Sequence, residues 1–167
     1  MRFAAEHNGP VFLRVGRDEE YDVYVEEDCK LEVGGSNLLR EGKDVLLIAC
    51  GFMVRESLVA AEKLSEKGLS VGVLDQYSIK PIDGDRLYDI VKPYKAVVTV
   101  EEHFTAGGMG SAVLEALSMK PHPPVFLKGI DDEFPPIGPK FELREHIGLC
   151  AASIAKDAQT FLESVKQ

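Results

Sequence analysis

The residues best placed to do chemistry are Glu101, Glu102 and His103, which follow an apolar run that ends at Val100. A carboxylate beside an imidazole favours its charged form, so His103 is a candidate general acid or base. Successive residues of a strand point to opposite faces, so Glu101 and Glu102 point to opposite sides of the sheet. At most one of them therefore faces the same cleft as His103. The alternatives for His103 are a structural histidine or a residue at an interface with another chain.

A glycine-rich turn comes next, and it predicts an anion site. The candidate ligand-binding residues are Gly107, Gly108, Gly110 and Ser111. In open α/β sheets ligands gather beyond the carboxyl ends of the strands, and the start of a helix presents unpaired N–H groups and a positive dipole end. The alternative is that these glycines allow close packing against a neighbouring element, because a glycine cluster alone is not specific.

Other catalytic patterns are absent from the sequence. It contains no Gly-x-Ser-x-Gly elbow, no phosphate-binding loop ending in Gly-Lys-Ser/Thr and no dinucleotide fingerprint. The three cysteines, Cys29, Cys50 and Cys150, show no Cys-x-x-Cys spacing, which indicates neither a disulfide framework nor a zinc site. We expect Cys50 and Cys150 to be small core residues rather than nucleophiles.

Composition narrows the class of protein. The 167 residues suffice for one domain, and 28 acidic against 19 basic residues give a net charge of -9, which repels nucleic acid. The longest apolar run, residues 45–54, is about half of what a bilayer crossing needs. The N-terminus has no apolar core of a signal peptide. We therefore expect a cytoplasmic protein with neither nucleic acid nor membrane as partner.

Strand and helix patterns alternate from Asn37 onward. Such alternation predicts an α/β fold, a three-layer α/β/α sandwich with a mostly parallel sheet of about five strands. The predicted strands cover residues 37–40, 44–51, 70–75, 96–100 and 125–128. The predicted helices cover residues 54–66, 81–91, 107–118 and a C-terminal segment from 154, and residues 131–140 form a proline-rich loop.

The first 36 residues do not fit this alternation. Residues 11–15 have the pattern of a strand, and residues 18–28 are mostly acidic, which predicts a solvated linker. The domain boundary is therefore expected near residue 37.

Four segments together resemble one family. They are REGKDV (40–45), YSIKPID (77–83), VTVEEH (98–103) and GGMGSAV (107–113). In this order they are similar to the C-terminal domain of transketolase, in particular of split transketolases encoded as separate N- and C-terminal parts. Deoxyxylulose phosphate synthases and the beta subunits of 2-oxo-acid dehydrogenases share this domain, and the adjacent Glu-Glu-His and Ile-Lys-Pro-Ile-Asp favour transketolase.

The resemblance implies a transferase that uses thiamine diphosphate and Mg²⁺ in the pentose phosphate pathway, with this chain as a homodimerising, structural part. The family holds the metal with a Gly-Asp-Gly motif followed by Asn; here the nearest string is Asp83-Gly84-Asp85, and no Asn follows Asn37. We therefore expect that this chain alone binds no cofactor and no metal and is inactive. Its expected partner is the N-terminal, pyrimidine-binding transketolase part.

The same resemblance assigns the two ends of the chain. Residues 1–36 would be the trailing strand of a pyrimidine-binding domain that lies outside this chain, plus the acidic linker, and residues 37–167 the C-terminal-like domain. The proline-rich stretch 134–139 replaces a glycine-rich, serine-containing stretch of the relatives. Two alternatives stay open: a free-standing module that binds a phosphate or carboxylate at residues 107–111, and an acid/base enzyme centred on His103.

Overall fold

The computed structural model of the protein describes residues 2–16, 22–24 and 31–165. In these residues a five-stranded sheet is surrounded by helices. The elements in chain order are α1 (Arg2–Glu6), β1 (Asn37–Arg40), β2 (Val45–Ala49), α2 (Met53–Ser65), β3 (Val71–Asp75), α3 (Gly84–Val91), β4 (Ala96–Phe104), α4 (Met109–Leu117), β5 (Val125–Ile130), α5 (Lys140–His146) and α6 (Ala151–Val165).

The strand order is β1-β3-β2-β4-β5, with β1 antiparallel to β3 and all other neighbours parallel. Val45 of β2 pairs with Val71 of β3 on one side and with Ala96 of β4 on the other. The order reverses between β2 and β4, which is the position where open α/β sheets usually have a crevice at their carboxyl edge. The predicted mostly parallel sheet of about five strands is confirmed.

The unbroken apolar runs explain why the central strands lie between two helix layers. Every residue of β2 and β3 is buried, as strands covered on both faces require. Leu47 packs in a core with α2 and α6, and its neighbour Leu46 packs on the opposite face with α3 and α4. Alternate residues of one strand thus build two separate cores.

Two element boundaries beside the candidate residues differ from the prediction. Strand β4 continues to Phe104 rather than ending at Val100, because β5 runs to Ile130 and pairs with it there. Helix α4 begins at Met109 instead of Gly107, since Gly107 has a φ of +76° and cannot belong to a right-handed helix. The candidates Glu101, Glu102 and His103 therefore lie within the strand rather than in the turn.

The prediction of a strand at residues 11–15 is wrong for this chain. Residues 10–16 are exposed and have no regular secondary structure. A strand needs a neighbour for its backbone hydrogen bonds, and none of the described strands lies beside this segment. Its assignment to a preceding domain stays a prediction.

Most of the predicted acidic linker lies outside the described residues. Only residues 22–24 of it are described. Val23 packs against the core, and the Tyr24 hydroxyl donates a hydrogen bond to Asp75. This part of the linker is thus attached to the domain. The proline-rich loop predicted at residues 131–140 is confirmed up to residue 139, because residues 131–139 are exposed and contain neither helix nor strand, while Lys140 begins α5.

Among the residues that the structure describes, no helix combines the length and the apolar character needed to cross a bilayer.

The two-sided core gives a first prediction. Leu47→Ala should lower the free energy of unfolding by about 2 to 5 kcal/mol, because it leaves a cavity where Leu47 is fully buried. Leu38→Ala on the edge strand is the matched control, since Leu38 is 40% exposed and should lose well under half of that. Urea unfolding followed by circular dichroism measures both, and equal losses would contradict this description of the core.

Candidate functional site

The carboxyl end of β4 and the start of α4 are joined through the side chain of Glu101. This side chain is fully buried. Its Oε2 accepts a hydrogen bond from the Met109 N–H at 2.5 Å, and its Oε1 accepts one from the Gly110 N–H at 2.7 Å. The positive end of α4 therefore already has an anion, supplied by the protein itself.

The glycines of the turn allow this contact. A Cβ atom at Gly108 would collide with the Glu101 carboxylate and the Phe104 carbonyl, and one at Gly110 would collide with Thr99 and Leu127. Close approach of α4 to β4 thus explains why both positions are glycine. Binding of an external anion here stays a prediction, and that anion would have to displace Glu101 to reach the Met109 and Gly110 N–H groups.

Gly107 and Ser111 hold the turn itself. The Gly107 N–H donates to Ser111 Oγ at 2.9 Å, and the Ser111 hydroxyl donates to the Thr105 carbonyl at 3.0 Å. The Ser111 hydroxyl therefore uses its proton within the turn. An external ligand could therefore only donate a hydrogen bond to the Ser111 oxygen, which has a remaining lone pair.

His103 and Glu102 lie on opposite faces, as strand alternation predicts. His103 Nδ1 is 3.0 Å from Glu101 Oε2, and the histidine side chain is 32% exposed. Glu102 instead accepts a hydrogen bond from Arg144 Nε at 2.5 Å, and the Arg144 guanidinium stacks on the Phe52 ring. Glu101 can orient the imidazole, so acid/base chemistry would take place at Nε2; whether His103 does so stays a prediction.

A groove of about 440 Å³ lies beside the turn. One wall is the connection after β3, residues 79–82, and the other is formed by the turn and the first turns of α4. Lys80 and Glu115 lie on its walls and are exposed. Sequence reasoning missed Lys80, although the YSIKPID segment contains it, because nothing in that segment indicates that it faces α4.

A second buried carboxyl group, also missed, lies at the end of β3. Burial raises the pKa of Asp75, and the hydrogen bond from the Tyr24 hydroxyl acts in the opposite direction. Asn37 Nδ2 donates to Tyr24 Oη at 3.3 Å. Asp75 thus ties the segment around Tyr24 to the sheet.

The pKa values of Cys50 and Cys150 are shifted in opposite directions. Burial, together with the Glu101 carboxylate, raises the pKa of Cys50 to about 12, which disfavours a thiolate nucleophile. Burial also acts to raise the pKa of Cys150, yet hydrogen bonds from Ser153 and Ala152 outweigh it and lower that pKa. Cys29 lies outside the described residues.

The role of Glu101 can be tested by a nearly isosteric change. Glu101→Gln should lower the free energy of unfolding by about 1 to 3 kcal/mol, because an NH2 group replaces one of the two accepting oxygens and leaves a buried N–H of α4 without its acceptor. Urea unfolding measures this loss. Glu115→Gln, on the exposed side of the same helix, is the control and should stay within about 0.5 kcal/mol of the parent. Equal effects would show that Glu101 does not hold α4.

Asp75 gives a pH-dependent prediction. A carboxyl group whose pKa is raised on folding contributes stability while protonated and loses it as the pH rises through the folded pKa. The parent protein should therefore lose stability relative to Asp75→Asn as the pH rises from about 4, near the ordinary Asp pKa, toward neutrality. Thermal unfolding across this range measures the difference, with Asp132→Asn at an exposed position as control. A difference that is constant or of opposite sign would contradict the prediction.

Comparison with known proteins places this geometry in a family. The family model of the transketolase C-terminal domain matches residues 34–154. The chain is 37% identical to a subunit of the apulose-4-phosphate transketolase of Phocaeicola vulgatus, over 98% of this chain and 52% of the relative. It is 34% identical to 1-deoxy-D-xylulose-5-phosphate synthase 1 of Geobacter sulfurreducens, over 97% of this chain and 26% of the relative.

A solved structure has a similar fold over nearly all of the chain. The structure titled "Split gene transketolase, inactive beta4 tetramer" has a TM-score of 0.91 and 38% identity, and the match covers 99% of this chain and 54% of that one. The chain thus spans about half the length of the split transketolase chains that it matches. The resemblance seen in the sequence is confirmed: the chain belongs to the transketolase C-terminal domain family.

Proposed function

We propose that this chain is the C-terminal domain of a transketolase-type subunit whose full assembly moves a two-carbon ketol unit between sugar phosphates, as in the pentose phosphate pathway. The observation that carries this proposal is the match to split transketolase chains over 98% and 99% of this chain. A match of this extent includes the β4–α4 turn and both helix layers rather than a single motif.

Deoxyxylulose phosphate synthesis is the nearest alternative activity, because that relative is 34% identical over 97% of this chain. The sequence supports transketolase instead, because Glu101-Glu102-His103 and the segment 79–83 resemble transketolase more closely. A 2-oxo-acid dehydrogenase beta subunit is a more distant alternative.

The full assembly would use thiamine diphosphate with Mg²⁺, but the described residues do not fit that group. A magnesium diphosphate needs several oxygen ligands from the protein, and no cluster of three or more His, Cys, Asp or Glu side chains in the described part of the chain could hold a metal ion. We therefore assign cofactor binding to the partner domains. The contribution of this chain is structural.

The names of the relatives support a partner and self-association. One relative is named as a transketolase subunit, and another structure is titled as an inactive tetramer of beta chains. We propose that this chain likewise works with the N-terminal, pyrimidine-binding transketolase part in the cytoplasm, forms homodimers or larger assemblies of itself, and is inactive alone.

The proposed domain organisation keeps residues 37–167 as the C-terminal domain. Residues 1–36 would then belong to the end of the preceding domain and the linker. The family match from residue 34 and the start of β1 at Asn37 support this boundary. The exposed apolar side chains of Phe12 and Val15 support a segment that packs elsewhere in the assembly.

A free-standing anion-binding module has less support. Glu101 occupies two N–H groups at the start of α4, and Ser111 is engaged within the turn. An external anion would otherwise accept hydrogen bonds from these two N–H groups and from the Ser111 hydroxyl. This alternative therefore requires the carboxylate to leave a buried position.

The proposed function predicts activity only in combination. The purified chain should give no ketol transfer from a ketose phosphate to an aldose phosphate, and transfer should appear when the subunits carrying the cofactor-binding domains are added with thiamine diphosphate and Mg²⁺. A coupled assay of the aldose product measures this. Transfer by the chain alone would contradict a structural role. Formation of 1-deoxy-D-xylulose 5-phosphate by the assembly would assign the synthase activity instead.

A further inference from the structure

The loop between β5 and α5 exposes an unusual amount of apolar surface. Phe134 and Ile137 are fully exposed, and Phe141 in the first turn of α5 is 70% exposed. Large apolar side chains that are exposed close together along the chain are typical of an interaction site. We refer to residues 131–141 as the apolar loop.

The apolar loop is stiffened before any contact is made. Pro135, Pro136 and Pro139 each fix a backbone φ angle within it. Stiffening lowers the conformational entropy that a segment loses on binding. The loop therefore has the properties of a preorganised ligand for a groove.

The charges at the start of the loop indicate what kind of groove it fits. Asp131, Asp132 and Glu133 are all exposed and directly precede Phe134. The matching surface would be an apolar groove with a cation on its rim.

This chain presents such a groove between residues 79–82 and α4. Ile79, Pro81 and Ile82 form one wall, Ala112 and Ala116 lie on the other, and the exposed Lys80 supplies the cation. Glu115 lies on the α4 wall, so an acidic segment would enter along the Lys80 side. At about 440 Å³ the groove has room for a large apolar side chain. We refer to it as the Lys80 groove.

We infer that the apolar loop of one copy docks in the Lys80 groove of a second copy. Phe134 would lie in the groove, with the acidic residues that precede it next to Lys80. Within one chain the loop remains fully exposed, so it does not fill its own groove. This inference rests on the self-association proposed above and names the surfaces that mediate it.

The contact joins two different surfaces, so each copy can both donate a loop and accept one. Such head-to-tail contacts close into rings when the rotation between copies allows it, and otherwise extend. The contact therefore predicts either a closed ring, of which a reciprocal dimer is the smallest, or an open row of copies.

The apolar part of the contact is tested by sedimentation velocity of the full chain over a range of concentrations. The double variant Phe134→Ser with Ile137→Ser should weaken self-association by about tenfold or more, since both anchors are lost. Met119→Ser is the matched control, because Met119 is 93% exposed and belongs neither to the apolar loop nor to the residues that line the groove. The control should change the dissociation constant by less than about twofold.

The charged part is tested by reversal. Lys80→Glu and Asp132→Lys should each weaken self-association by about fivefold, and the two together should restore much of it. Restoration cannot arise from misfolding of either single variant. Glu115→Gln should strengthen the contact, because it removes a like charge from the groove.

The outcomes separate this inference from the proposed function. Self-association that is unchanged in the double serine variant, or charge reversals that fail to compensate, would overturn the loop-and-groove contact and leave the proposed self-association standing. A parent chain that stays monomeric at all concentrations would overturn both.

Discussion

The carboxyl edge of this domain depends on a buried carboxylate that needs hydrogen-bond donors. Glu101 is removed from water, and without partners its charge would be costly. The Met109 and Gly110 N–H groups satisfy it, and this fixes α4 against β4. Glycine at 108 and 110, the orientation of His103 and one wall of the Lys80 groove all follow from that contact.

Two other acidic groups at this edge also have partners within the chain. Asp75 at the end of β3 accepts from Tyr24, and Glu102 on the far face of β4 pairs with Arg144. The position where α/β proteins commonly bind ligands is thus used to attach helices and an N-terminal segment. This agrees with the structural role that we propose for the domain.

Much of the fold was predictable because burial on two faces leaves a clear pattern. The apolar runs of β2, β3 and β4 and the helical spacing of α2 and α6 each indicate their element from local sequence. The extension of β4 to Phe104 was not predictable, since residues 101–103 are polar and the end of the strand is set by the pairing of Phe104 with Ile130 of β5. Residues 11–15 show the reverse case, a strand pattern whose pairing partner is not among the described strands.

The candidate site was only partly predictable, because its contacts also join segments that are distant in the chain. The residue types between 101 and 111 indicated an anion and a helix start, but not that the anion is Glu101, eight residues before Met109. Lys80 and Asp75 gave no signal, because their importance comes from contacts between segments distant in the chain.

Amide hydrogen exchange at Met109 and Gly110, followed by NMR in the full chain, tests the central claim most directly. If Glu101 holds the start of α4, both amides should exchange slowly, and Glu101→Gln should speed them selectively. Fast exchange at both amides in the parent protein would contradict the account, because it would show that these N–H groups are open to an external ligand.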